Sequence, residues 1–188
     1  MATSRRSVPR IYELTVRLSD VEPAVWRRIR MSSGATLARA ARVLAVAMGW
    51  AAGRPYAFTA GPLRYEGQGV RGKGQAKAPG VRLRQLLPDA GSELEFEYGN
   101  GHAWHLLVRL DRLLPPNDEL RTPVCVDGSG GTPPLDVGGP WAYEEWRSGS
   151  TMDSGAHDIT ELGGGTAAHH PTVRFNPEAV NAELERLT

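Results

Sequence analysis

The chain has 188 residues, 40% of them apolar, with a formal net charge of +1 and one cysteine. That length suits one domain with a real hydrophobic core, and no run approaches the ~20 apolar residues that span a bilayer. Cys125 stands alone, which excludes an intrachain disulfide, and the near-neutral balance argues against a dedicated nucleic-acid binder.

Residues 1–10 carry Arg5, Arg6 and Arg10 but no apolar core of the signal-peptide kind. They read as a disordered basic tail on a cytoplasmic protein. A first strand follows, because Tyr12, Leu14, Val16 and Leu18 alternate with Glu13, Thr15 and Arg17. Pro23 marks a turn, and Val25–Arg30 pairs back as a hairpin. The first helix starts at Thr36, an N-cap after Ser32, Ser33 and Gly34. Leu37, Ala41, Leu44 and Met48 form its core stripe, and Gly49 is its stop. Short strands are expected at Tyr56–Ala60 and Leu63–Glu66.

The stretch 67–80, rich in glycine, proline and basic residues, reads as a flexible loop, followed by a short helix over Arg82–Leu87. The clearest hairpin covers 93–110. Leu94, Phe96 and Tyr98 face one side, and Glu93, Glu95 and Glu97 the other. Trp104, Leu106, Val108 and Leu110 share a face on the return. Asn100-Gly101 marks the turn, since both residues tolerate positive φ. Residues 127–140 are expected to form an ordered irregular loop or a mobile lid. A short helix follows over Trp141–Arg147, then a loose segment over about 148–172. Asn176 as N-cap and Pro177 in the first turn open the last helix, whose buried stripe is Val180, Leu184 and Leu187.

Several of these segments occur together in a known pattern. They are Tyr12-Glu-Leu with Pro23-Ala-Val-Trp26-Arg27-Arg28-Ile29, the helix ending Ala47-Met48-Gly49-Trp50, and Leu86-Leu87-Pro88. Hairpin 94–107 follows, then Pro123-Val-Cys125, Pro133-Pro134 and Gly138-Gly139-Pro140-Trp141-Ala-Tyr143. Phe175-Asn-Pro-Glu-Ala-Val-Asn181 completes the set. Over residues 11–188 the chain resembles the plasmid pRi ORF-three-like family, also called insertion-element passenger TnpR-like proteins. The resemblance implies mostly fold: one α+β domain, a roll with a curved, mostly antiparallel sheet and helices packed on it. The TnpR name suggests a resolvase, yet nothing in the chain resembles a serine or tyrosine recombinase site.

The chain departs from the family pattern as a divergent member would. Arg54 stands where the family usually has a histidine. In the hairpin Tyr98 takes the place of a Phe, Asn100 replaces an Asp, and Trp104 takes the place of a His. Thr132 replaces a Cys and Leu135 a Glu, while Asp136 and Cys125 are kept. The polar groups best suited to metal binding or acid–base chemistry are therefore largely absent.

No metal site or cofactor is expected. His102 and His105 point to opposite faces of a strand, and His169-His170 lack spaced partners. Cys125, between Val124 and Val126, reads as a buried inert thiol. The run Gly128-Ser-Gly-Gly131 lacks the Gly-Lys-Ser/Thr ending of a phosphate loop. Trp50, Trp104 and Trp141 lie at element ends or beside glycine-rich turns. With Tyr98, Tyr143 and Leu135 they are expected to wall a pocket for an apolar small molecule, with Arg54, Asn100, His102 and Asp136 as its few polar groups. In that reading His102 or Asp136 moves a proton in a cofactor-independent cyclase or isomerase. The alternative is a non-enzymatic module that binds protein or nucleic acid through Arg71, Lys73, Lys77, Arg82 and Arg84.

Overall fold

A computed structural model describes residues 9–67, 76–77, 80–100, 103–116, 123–148 and 175–187. The elements run β1 (Ile11–Leu18), β2 (Trp26–Ser32), α1 (Leu37–Ala47), β3 (Tyr56–Ala60), β4 (Leu63–Gly67) and β5 (Ala76–Lys77). They continue with α2 (Leu83–Leu86), β6 (Glu93–Tyr98), β7 (Trp104–Leu114), β8 (Val124–Ser129), α3 (Pro140–Ser148) and α4 (Pro177–Glu185). The fold is α+β.

The strands form an eight-stranded sheet in the order β5-β4-β3-β6-β7-β1-β2-β8. Every pairing is antiparallel except the short β4–β5 contact. Alternation explains the layering. In β1 and β7 the even-numbered Leu14, Val16, Leu18, Leu106, Val108 and Leu110 are buried on one face. On β6 Leu94, Phe96 and Tyr98 join them, in register with Val108, Leu106 and Trp104. The burial of α1 is nearly continuous, from Leu37 to Ala47, because it lies between the sheet and α4. Thr36 caps it by accepting from Arg39 N at 3.2 Å. Gly49 ends it at φ +83°, a conformation that favours glycine.

The opposite face of the sheet is charged. Glu13 is almost fully buried there because Arg30 and Arg112 close over it. Arg64 reaches across β3 to Glu97 and also contacts Glu66.

Two expectations need correction. The stretch 127–140 does not begin as loop, because β8 runs on through Asp127 and Gly128 to Ser129, paired with β2. The irregular segment is 130–139, and its backbone is held at several points, as a lid's would not be. The N-terminal tail to residue 8, most of the 67–80 loop and the segment 149–172 lie outside the described residues. No helix among those described is long and apolar enough to cross a membrane.

Candidate functional site

Trp50 leaves α1 just past its glycine stop and turns its ring onto the sheet. It stacks on Tyr98 and on Trp104, with centroids 6.0 Å apart in both pairs. The edge of Tyr143, from α3, meets Trp104 at 6.2 Å. Trp104 and Tyr98 retain no more than 1% exposure, Tyr143 3% and Trp50 5%. These rings pack against one another, which places Tyr98 and Trp104 in a buried aromatic cluster.

Buried indole and phenol groups need hydrogen-bond partners. Trp50 Nε1 donates to Pro133 O at 2.8 Å and Trp104 Nε1 to Leu135 O at 3.0 Å. Tyr98 Oη donates to Ala51 O at 2.6 Å and accepts from Arg54 N at 3.2 Å. Burial pushes the Tyr98 phenol up from its ordinary value. The cluster thus fixes the 133–135 backbone at two carbonyls and the 51–54 turn at one hydroxyl.

Arg27 holds the other end of the same loop. It shares the inner face of β2 with Ile29 and Met31 and is 3% exposed. Its Nε donates to Ala47 O at the end of α1. Nη1 donates to Trp26 O and Ser129 O, and Nη2 to Gly130 O and Thr132 Oγ1. All five guanidinium N–H groups are thereby used. No carboxylate is among those partners; the C-terminal end of α1 and the Phe175 ring, 4.4 Å from Cζ, face the charge instead. Burial lowers the Arg27 pKa to about 10, so it stays a cation at neutral pH. Gly130 makes the approach feasible: at φ +78°, its missing Cβ would stand 2.9 Å from Ala24 O.

Between these anchors, the end of α1 and the start of α4 lies a cleft of about 650 Å³. Its wall is mainly apolar, with Val46, Met48, Pro133, Phe175, Ala179 and Val180. Of the residues expected at the site, Trp50, Arg54, Leu135, Asp136 and Tyr143 line it. Tyr98 and Trp104 sit behind it in the sealed cluster. Trp141 is 73% exposed and is not part of the wall. Asn100 is exposed at the hairpin turn, and His102 lies outside the described residues. Arg54 Nη2 meets Asp136 Oδ2 at 3.1 Å across the cleft, with both side chains partly exposed.

The sequence reading missed Arg27, Phe175, Ala179, Val180 and Glu183 as residues of the cleft. A signal existed for Arg27, since a period of two places it on the core face with Val25 and Ile29. For the α4 residues there was none, because their contribution depends on how α4 docks against α1 and β8. Cys125 is buried, and burial raises its thiol pKa. No group of ligands suited to a metal ion occurs among the described residues.

The profile of the plasmid pRiA4b ORF-3-like protein family matches residues 10–183. The uncharacterised protein y4hQ of Sinorhizobium fredii is 33% identical over 178 residues, covering 82% of this chain and 90% of its own. The crystal structure of a protein of unknown function from Methanosarcina mazei superposes with a TM-score of 0.73 at 22% identity. That match covers 92% of this chain and 97% of the archaeal one; at that identity it speaks to the fold alone.

Proposed function

The chain belongs to the plasmid pRiA4b ORF-3-like family, and we propose that this member is a small-molecule-binding domain that seats an apolar ligand in the cleft. The observation that carries the reading is the cleft itself. Its volume of about 650 Å³ suits a small organic molecule, and its walls offer aliphatic carbons with few polar groups. Those walls are also preorganised. The indole N–H groups and Arg27 fix the 129–135 backbone, so little order has to be gained on binding.

Binding is supported better than turnover. The carboxylates of the described wall are Asp136, held by Arg54, and Glu183, paired with Arg186. Neither is poised against a second unengaged acid or base. In the cofactor-independent cyclase or isomerase reading, Asp136 is the described group that would move a proton, and Arg54 would steady developing negative charge.

The test is a thermal-shift screen with a panel of apolar small molecules on the wild type and on Ala179→Trp. Ala179 is exposed on α4 and faces the cleft, so an indole there fills space without touching the core. A binder should raise the wild-type melting temperature and fail to raise that of the variant. Equal shifts in both proteins, or no shift from any compound, would remove the cleft as a binding site.

A further inference from the structure

Among the described residues, two groups of arginines stand apart from Arg27, Arg54 and Arg186. On the open face of the sheet, Arg17, Arg28, Arg30, Arg64, Arg109 and Arg112 each lie within 4.0 Å of a carboxylate. Arg10, Arg39, Arg42, Arg82 and Arg84 pair with no carboxylate among the described residues. Arg10, Arg82 and Arg84 gather around the turn that leads from β2 into α1, with Arg39 in the first turn of that helix and Arg42 at its middle.

The gathering is visible in the backbone. Ser33 N donates to Arg10 O at 2.8 Å, and Arg84 N donates to Ser33 O at 3.1 Å. Arg82 bridges Thr36 and sends Nη1 to Gly34 O. Arg84 Nη1 lies 3.5 Å from where a Cβ would stand on Gly34. Burial holds the Tyr12 phenol above its ordinary value, with the charges of Arg84 and Arg10 acting against that rise and Asp89 adding to it. Arg39 occupies the first turn of α1, which has no acidic residue, and Arg42 follows one turn later, exposed. A cation in the first turn opposes the helix dipole. Positive charge is thus concentrated where the backbone already presents its positive end.

We propose that this end of the molecule is a docking surface for the sugar-phosphate backbone of a nucleic acid, independent of the cleft. Cations spread from the residue before β1 over α1 and the start of α2 suit a repeating polyanion better than one phosphate group. All of them are arginines, whose planar guanidinium engages phosphate oxygens two at a time. A membrane surface fits less well. Among the described residues the exposed large apolar side chains are Leu63, Leu107, Val126 and Trp141, none of them on α1 or α2, and interfacial binding draws on apolar insertion.

The test uses the full chain with a fluorescein-labelled DNA duplex and a labelled single-stranded RNA, titrated by anisotropy over a series of salt concentrations. Arg10, Arg42 and Arg84 are replaced together by Ala; Arg39 and Arg82 are kept because they hold backbone carbonyls. The control replaces Arg17, Arg28 and Arg109 on the open sheet face. The wild type should bind at least one probe with affinity falling as salt rises. Each lost phosphate contact lowers the slope of log K against log salt by about 0.7–0.9, so the first triple variant should lose about 2 to 3. The control should keep the wild-type slope. Absence of binding, equal loss in both triple variants, or binding only to phosphatidylglycerol vesicles would overturn the proposal.

Discussion

Trp104 shows how one side chain settles the character of the site. Its place in the hairpin was legible from alternation, and its position beside a glycine-rich turn suggested a pocket wall. The structure instead gives its ring to the core and its N–H to Leu135 O. Sequence could not reveal this, because an element end beside glycines looks the same whether it borders a void or a packed loop. Trp104→Phe should destabilise the fold by about 2–3 kcal/mol, from the unpaired carbonyl and the lost ring volume. Denaturant melts measure it; a loss below the error of extrapolation would mean the loop is not held there. Glu13 is a second case. Burial alone would raise its pKa, but the hydrogen bonds from Arg112 and Arg30 outweigh that and hold it below its ordinary value. A lowered folded value means stability that is full above the ordinary carboxylate range and lost as pH falls through the folded value. Glu13→Gln should therefore be less stable than wild type near neutral pH, with the gap narrowing at an acid pH below the ordinary carboxylate range. Melts at both pH values check this; a gap that persists in acid would refute the electrostatic account.

Among the elements, α4 was read correctly as to start and cap, since Asn176 and Pro177 are strong local signals, while of its expected stripe Leu184 and Leu187 are buried and Val180 only partly. What it does was not legible. Asn181 Nδ2 donates to Cys125 O at 2.9 Å, and Asn181 Oδ1 accepts from Cys125 N at 2.7 Å. Its amide thus imitates a neighbouring strand along β8, which is otherwise an edge of the sheet. Bare edges invite pairing with other chains. Asn181→Ala should cost about 1–3 kcal/mol and promote self-association, read by denaturant melts and sedimentation. A variant as stable and monodisperse as wild type would show the contact to be incidental. β8 itself was half seen. Val124-Cys125-Val126 had the apolar signature of a strand, but Asp127-Gly128-Ser129 carried turn residues that only pairing with β2 overrides.

At the scale of the molecule, local pattern showed the two long hairpins and the family resemblance implied the α+β class, while the strand order came from long-range contacts that periodicity does not encode. β1 illustrates the gap. Its alternation named it a half-buried strand, yet it lies inside the sheet, between β2 and β7. The cleft has the same origin. Its walls come from residues 27–54, 132–143 and 175–183, which no window along the chain brings together.

That internal position of β1 bears on how the protein is made. Translation releases residues 11–18 ahead of the other strands, but one flank of that strand is completed only by Trp104–Leu114. Until then the nascent polypeptide carries an unmatched row of amides and carbonyls beside a strip of Leu and Val. The ribosome thus has to deliver most of the chain before the middle of the sheet can close.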